Sequence, residues 1–530
     1  MGKYLNPGNS GFQAIRNGLY VDKTGLIEYI NSTINISPDR LTCFSRPRRF
    51  GKSFAAKMLC AYYDKSCDSK ILFEGLEISN KISFETYLNK FNVIYLDITW
   101  FLSTVRNRKQ TVCDLQERVI RELRQAFPDF TDENEKSLPG ALSGIAEKSG
   151  EKFIMIIDEW DALFRETKDD QDLQKEYIQL LRGLFKGGTV TDNTIAAAYM
   201  TGILPIKKYG TESALTDFQE FTMVYPDELT PYVGFTESEV LKLCDRTGMD
   251  FDKMKCWYDG YSFHDAHSVY SPNSVMSAIR RKRYRSYWTL SETFESLKEY
   301  ITRDFYGLKD AVVYMLGGQR MHVDISTFQN DITSFENSDD VLTLLIHLGY
   351  LAYDEEKKEA YIPNLEVSEA FRSAVKNTDW STVNQSLSNS EKLLNATING
   401  DADSVSAALE LAHETCTSSL EYNDENSLSC AILLAYYTAQ NYYEIFRELP
   451  AGKGFADYAF VPRNHTDKPA MIIELKYNQS ADTAIKQIHD NRYDGKLKDF
   501  NGRLILVRIN YDKDAKGKEK KHHTCVIEAV

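Results

Sequence analysis

The sequence has no run of 18 apolar residues anywhere in its 530, so it offers no transmembrane helix. Its 9 cysteines form no C-x-x-C pair, and their number is odd. That argues against a zinc ribbon or a disulfide framework, and free thiols in a reducing compartment are the simpler reading. Pro (13) and Gly (28) are too few for a fibrous or low-complexity protein. There is no G-x-S-x-G, and the histidines form no nucleophilic arrangement. The N-terminus lacks the apolar stretch of a signal peptide, and Asn6 breaks the myristoylation pattern. An excess of basic charge is missing too: 63 Lys and Arg stand against 77 Asp and Glu, a net charge of -14. This excludes a polybasic protein that coats nucleic acid but leaves room for a local basic groove. The expectation is a cytoplasmic protein with no membrane attachment.

What is present is the composition of a globular chain, 42% hydrophobic and 26% charged. Its length suggests about three to four domains. The first third alternates apolar β-rich runs with amphipathic helical ones. Strands are expected at Leu41 to Ser45, Val93 to Ile98, Phe153 to Ile157 and Thr194 to Thr201, and helices at Thr111 to Phe127 and Leu173 to Phe185. Such alternation predicts an α/β domain with a mostly parallel sheet over residues 1–226. Residues 227–395 read as mostly helical. Thr236 and Glu239 have the spacing of a capping box. An apolar helix at Val341 to His347, followed by strands at Leu351 to Asp354 and Glu359 to Ile362, resembles a winged-helix unit. Residues 396–530 form the third expected domain. There an apolar helix is expected at Leu428 to Tyr443, strands at Gly454 to Val461, Ala470 to Tyr477 and Arg503 to Ile509, and a helix at Ala481 to Tyr493.

After the first strand comes Arg46-Pro47-Arg48-Arg49-Phe50-Gly51-Lys52-Ser53, then a helical run from Phe54. Strand, loop, Gly-Lys-Ser and helix is the context of a phosphate-binding loop. Backbone N–H groups and the helix N-terminus would cradle phosphates. Lys52 would reach the β- and γ-phosphates, and Ser53 would ligate Mg²⁺. Arg46 stands where that loop usually has its first Gly, and a basic turn leading into a helix is the plain alternative. Downstream, Phe153 to Ile157 is an apolar run that ends in Asp158-Glu159. Asp158 would orient Mg²⁺ and Glu159 would polarise an attacking water. Together the two motifs favour an ATPase. Thr201, at the end of the next strand, is either a polar sensor of the γ-phosphate or a strand cap. The expected nucleotide-binding set is Arg48, Arg49, Phe50, Gly51, Lys52, Ser53, Phe54, Asp158 and Thr201.

Tyr20-Val21-Asp22-Lys23-Thr24, the loop R-P-R-R-F-G-K-S and Trp257-Tyr258-Asp259-Gly260-Tyr261 resemble the bacterial and archaeal AAA-ATPase-like family. Its members commonly carry a C-terminal nuclease-like domain of the PD-(D/E)XK superfamily. The resemblance implies a P-loop NTPase fold, a helical middle and a restriction-endonuclease-like α/β domain, and it makes Arg46 typical of the family.

The C-terminal third holds Gly454-Phe455-Ala456-Asp457 and, later, Ile472-Ile473-Glu474-Leu475-Lys476. Glu474 and Lys476 are two apart on a strand and share a face. Acidic ligands for Mg²⁺ beside a Lys that offsets transition-state charge suit phosphodiester cleavage. A solvated strand end is the alternative. By the resemblance, Asp457, Glu474 and Lys476 take the nuclease core positions, with Asp457 and Glu474 as metal ligands. Glu448 and Gln487 take accessory ones, and Ala456-Asp457 stands in for the literal Pro-Asp.

Arg280-Arg281-Lys282-Arg283-Tyr284-Arg285-Ser286-Tyr287-Trp288 interleaves cations and aromatics. It is either a nucleic-acid grip or, the favoured reading, a solvated helix end. The leading functional expectation is an ATPase using ATP and Mg²⁺, coupled to a metal-dependent nuclease acting on nucleic acid, DNA in the first instance. The alternative is an ATP-dependent binding or signalling protein whose nuclease-like domain recognises without cutting. A third reading is a regulator that forms homo-oligomers through its ATPase domain.

Overall fold

The computed structural model describes the chain apart from residues 1, 38, 131, 207, 210–211, 214, 216, 265, 289–296, 298–299, 302–307, 329–334, 336, 376–380, 418–430, 452–453, 464–465, 478–501, 513–521 and 530. The fold is mixed α/β and divides into two compact units. The first takes in Met1–Val240, Tyr261–Asn273 and Asp324–Glu356, and the second Leu241–Gly260, Ser274–Val323 and Lys357–Val530.

The first unit is built on five strands: β1 Leu41–Ser45, β2 Asn92–Asp97, β3 Phe153–Asp158, β4 Ile195–Gly202 and β5 Gln219–Phe221. Their order is β2-β3-β4-β1-β5, and every neighbouring pair is parallel. Strands β1, β3 and β4 are buried along their whole length. A parallel sheet is covered on both faces, which explains the unbroken apolar run of β3, while β1 buries the small polar side chains of Thr42 and Ser45 among its apolar ones. The covering helices are α1 Lys52–Tyr63, α2 Thr111–Ala126, α3 Leu138–Ser149, α4 Ala162–Glu166 and α5 Gln171–Phe185. Val119, Leu123 and Leu142 join Met155 and Ile157 in one core. Each fully buried side chain of this size contributes roughly 1.5–3 kcal/mol. Helix starts are fixed locally. Asp170 accepts from the Leu173 N–H before α5, and Ser137 accepts from Gly140 at α3.

A small antiparallel sheet of Phe235–Thr236, Ala266–Tyr270 and Tyr261–Phe263 belongs to the same unit. Glu239 accepts the Thr236 N–H at 2.8 Å, the returning arm of the expected capping box at the start of helix Glu237–Thr247. Helix Ser338–His347 and both short strands expected after it, Ala352–Asp354 and Glu359–Tyr361, are present.

In the second unit, helices Phe251–Tyr258 and Leu365–Val375 pack together. Two longer helices, α6 Ser381–Asn399 and α7 Ala402–Thr417, precede a five-stranded sheet. Its strands are β6 Tyr443–Ala451, β7 Gly454–Pro462, β8 Ala470–Tyr477, β9 Leu504–Tyr511 and β10 His523–Ala529, in that spatial order. All pairs are antiparallel except β8 with β9, which is parallel. A parallel pair needs a long connection between its strands, and 26 residues separate β8 from β9 in the sequence. The apolar run expected as a helix to Tyr443 instead ends in a 3-10 turn over Tyr437–Asn441, and Tyr443 opens a strand. The sheet has two unlike faces. Tyr458, Phe460, Met471, Ile473, Val507 and Ile509 form a large core with Leu393, Leu394, Val405 and Leu409 of α6 and α7. Among the described residues, the opposite face carries the smaller cluster of Ala459, Ala470, Ile472 and Leu506.

Candidate functional site

Parallel order aligns the carboxyl ends of β1, β3 and β4. Asp158 stands in register with Asp97 of β2 and with Thr201 of β4. Thr201 in turn faces Phe44, one residue before the end of β1. The loop after β1 therefore opens directly above Asp158 and Thr201. Within that loop Arg49 and Gly51 both have positive φ, 69° and 85°. Gly51 is the N-cap of α1. Reversals of this kind turn backbone N–H groups toward one concavity, next to the unpaired N–H groups of the first helical turn.

Lys52 is 3% exposed. Its Nζ donates to the carbonyls of Arg46 and Pro47, each at 3.0 Å, and lies 3.0 Å from Glu159 Oε1. Burial lowers its pKa, and Glu159 opposes the shift. Asp158 is 1% exposed. Burial pushes its carboxyl up to about 6, Ser53 opposes through a hydrogen bond, and Glu159 adds to the rise. Asp158 Oδ1 and Thr201 Oγ1 are buried and have no hydrogen-bond partner. A buried polar atom without a partner costs about 1–3 kcal/mol, and both flank the loop. Such a pair fits a site completed by a hydrated cation and a phosphate oxygen, so the donor set of Ser53 and Asp158 suits Mg²⁺.

The remaining loop residues divide. Arg48 is partly exposed, while Arg49 and Phe54 stand open at the mouth. Phe50 is 1% exposed and turned inward, edge-on to Tyr261 at 5.5 Å. Only its backbone is left to line the loop. Arg46 is buried. It stacks over Phe44 at 4.3 Å, donates to the Tyr199 hydroxyl at 3.1 Å and reaches the Tyr232 carbonyl. The residue in the first-glycine position therefore braces the loop from beneath.

The second cluster lies on the face of the C-terminal sheet that carries Ala459 and Ile472. The β7–β8 ladder pairs Tyr458 with Ile473. Beyond it, Asp457 Oδ2 accepts the Leu475 N–H at 2.6 Å. Asp457 thus stands beside Glu474. On the other side Glu474 pairs with Arg508, and Lys476 with Asn510. Paired residues on neighbouring strands share a face, so Asp457, Glu474, Lys476 and Arg508 look out on one side with Ala459 and Ile472. Glu474 has a raised pKa: burial is the main cause, Asp457 adds to it, and Lys476 and Arg508 oppose it. Glu448 lies between Arg447 and Leu449, whose partners are Tyr458 and Ala456, so its backbone stands opposite Asp457. Gln487, the helix expected at 481–493 and residues 513–521 lie outside the described residues. Among the described residues no three acidic, His or Cys side chains form a metal-holding group.

Residues 8–211 match the family model described as Predicted AAA-ATPase. Residues 424–521 match that of the PD-(D/E)XK nuclease superfamily. A protein of Azotobacter chroococcum mcd 1, described as "Uncharacterized protein in vnfD 5'region", is 24% identical over 306 residues, 57% of this chain and 56% of that protein. The chain thus spans about half the length of that relative. Among solved structures, the Aeropyrum pernix ORC2 protein is 10% identical, with a TM-score of 0.32 over 69% of this chain and 98% of its own. Caenorhabditis PCH-2 is 13% identical, with a TM-score of 0.18 over 69% and 66%.

Sequence reasoning missed three members of the two clusters. Tyr95 of β2 hydrogen-bonds Asp158. Arg165 binds Glu159 at 2.5 Å. Arg508 stands beside Glu474. Only Arg165 left a trace in the sequence, its i,i+4 spacing from Asp161. In the cation-aromatic run the helix ends at Arg281, and Arg280, Arg281, Lys282, Arg283 and Arg285 are exposed. Tyr287 and Trp288 are buried, and Arg281 and Arg285 lie over the Tyr287 ring at 5.8 and 5.3 Å. No described helix is long and apolar enough to cross a membrane.

Proposed function

We propose that the protein binds and hydrolyses ATP at the loop of residues 46–53, and that this activity controls a metal-dependent nuclease centred on Asp457, Glu474 and Lys476. The observation that carries the reading is the meeting of Lys52, Asp158 and Thr201 above one sheet edge, with two buried polar atoms left unpaired there. Lys52 would leave the Arg46 and Pro47 carbonyls for the β- and γ-phosphates. The N–H groups of α1 would hold the remaining oxygens, with Arg48 and Arg49 at the mouth. Ser53 and Asp158 would hold Mg²⁺, which when bound neutralises phosphate charge. Thr201 would donate its free hydroxyl to the γ-phosphate. Glu159, anionic and beside Lys52, would accept the proton of the attacking water.

At the second cluster Asp457 and Glu474 would hold Mg²⁺. The raised pKa of Glu474 reflects two neighbouring carboxyls that a cation would relieve. Lys476 would offset charge on the scissile phosphate of nucleic acid, DNA in the first instance. One observation favours the second reading, recognition without cleavage. The net charge of -14 gives the chain no overall attraction for a phosphate backbone.

Two measurements test the proposal. Titration of a fluorescent ATP analogue into the Lys52→Ala variant is expected to show affinity lower by roughly tenfold or more, about 1.4 kcal/mol or above. Unchanged affinity would remove Lys52 from the site. Strand cleavage of linear and circular DNA and of RNA, with Mg²⁺ or Mn²⁺ and with or without ATP, is expected in the wild type and lost in Glu474→Ala and Lys476→Ala. Nucleotide binding with no cleavage in any lane would leave the recognition reading standing.

A further inference from the structure

Glu159 carries more constraint than a water-polarising carboxylate needs. It has a left-handed backbone, φ 55°, which costs a residue with a side chain about 1–3 kcal/mol. Its two carboxylate oxygens face two different cations. Oε1 lies 3.0 Å from Lys52 Nζ, and Oε2 accepts from Arg165 Nη2 at 2.5 Å. Arg165 is fixed by Asp161, whose Oδ2 accepts the Arg165 Nε–H at 3.1 Å. Asp161 Oδ2 also accepts the backbone N–H groups of Ile203 at 3.1 Å and Leu204 at 3.0 Å, just past the end of β4. The side chains of Arg165 and Asp161 are 12% and 2% exposed. A rigid relay therefore runs from the end of β4 through Asp161 and Arg165 to Glu159.

We propose that Arg165 is the positioning residue for Glu159 during ATP hydrolysis. The inference rests on the ATPase reading above. Without nucleotide, Glu159 is shared between Lys52 and Arg165. When Lys52 turns to the phosphates, the Lys52–Glu159 pair is lost. Arg165 then becomes the cation that keeps the carboxylate from swinging toward solvent or repelling the incoming γ-phosphate. Its planar fork binds Asp161 through Nε and Glu159 through Nη2, a geometry the single ammonium of a lysine cannot reproduce. Arg48 is the other cation whose charge reaches Glu159. It is partly exposed at the mouth of the loop. Position within a fraction of an ångström is worth orders of magnitude in rate, and loss of an orienting residue appears in kcat before KM.

The test uses the full chain with Arg165→Gln and Arg165→Lys. Arg165→Gln is expected to lower kcat for ATP at least tenfold, with KM and the affinity for a fluorescent ATP analogue changed less than threefold. Arg165→Lys should recover part of kcat. In a Glu159→Gln background, Arg165→Gln should add nothing to the loss of single-turnover hydrolysis, because the two residues act as one unit. An unchanged kcat in Arg165→Gln would overturn the inference. So would an equal fall in kcat and nucleotide affinity, or a further loss in the Glu159→Gln background, each of which marks a merely structural arginine. Should Arg165→Gln fail to fold, the same split read from Arg165→Lys decides. A wild type that binds the analogue but never hydrolyses ATP would sink the ATPase reading itself, a distinct result.

Discussion

At the scale of single residues, the motifs that stand out in the sequence turn out to serve unlike ends. Lys52 and Asp158 are buried at the carboxyl ends of the strands, and Ser53 hydrogen-bonds Asp158. Arg46 and Phe50, in the same loop, are turned inward and packed. Gly260 in Trp257-Tyr258-Asp259-Gly260-Tyr261 is a backbone requirement. Its φ is 124°, and a Cβ there would fall 1.8 Å from the Pro363 carbonyl oxygen. Its own carbonyl accepts the Tyr361 hydroxyl at 3.1 Å. Both the conformation and the space exclude a side chain. Gly260→Ala is therefore expected to cost roughly 3 kcal/mol or more, since strain and backbone displacement add. Urea denaturation of the variant checks this, and a loss below about 1 kcal/mol would mean that the Pro363 segment yields freely.

At the scale of elements, what the sequence disclosed follows burial. Strands β1 to β4 are largely buried, so apolar residues dominate them, and the expected bounds agree with the observed ones to within about two residues. The Asp158 and Thr201 positions came with them, because the carboxyl ends of those strands define the site. Strands β5, β6 and β10 escaped notice. In β5 two of three residues, Gln219 and Glu220, are exposed. In β6 the alternation of Tyr443, Ile445 and Arg447 with Glu444 and Phe446 follows directly on an apolar helical run and merges with it. In β10 the pattern is blurred by His523 and Glu528, the first buried through a hydrogen bond to Glu410. Asp457 beside Glu474 is a product of antiparallel register, and Arg508 beside Glu474 of a parallel pairing across a long crossover. No local pattern encodes either. The pairing of Glu159 with Arg165 was hidden for another reason: it depends on the left-handed turn at Glu159, which a sequence of ordinary residue types does not announce.

At the scale of the whole molecule, a net charge of -14 suggests an acid response governed by carboxylates alone, yet a buried histidine takes part in it. In the first unit His347 is 4% exposed with Nδ1 unpaired, stacked at 5.8 Å on Phe328. Burial drives its pKa down to about 3. The unfolded chain takes up this proton near pH 6.5 and the folded chain does not. His347 therefore contributes stability that is fully present above pH 6.5 and is lost as pH falls, about 2 kcal/mol by pH 5. Asp158, in the same unit, has the opposite sign. Its folded pKa is raised to about 6 by burial, so its cost to folding is relieved as pH falls through that value. Near pH 5 the two largely cancel in the wild type. His347→Leu removes the histidine's share and should leave a first unit whose stability falls less, or even rises, between pH 7 and pH 5. Asp158→Asn removes the opposing share and should steepen the acid loss. The double variant should return close to the wild-type slope, because each change acts on a separate proton. Thermal unfolding of the four proteins without nucleotide or Mg²⁺, at pH 7 and pH 5, reads these differences directly. Identical pH 7 to pH 5 losses in wild type and His347→Leu would mean that His347 is protonated in the folded protein, and that its burial exerts no leverage on acid stability.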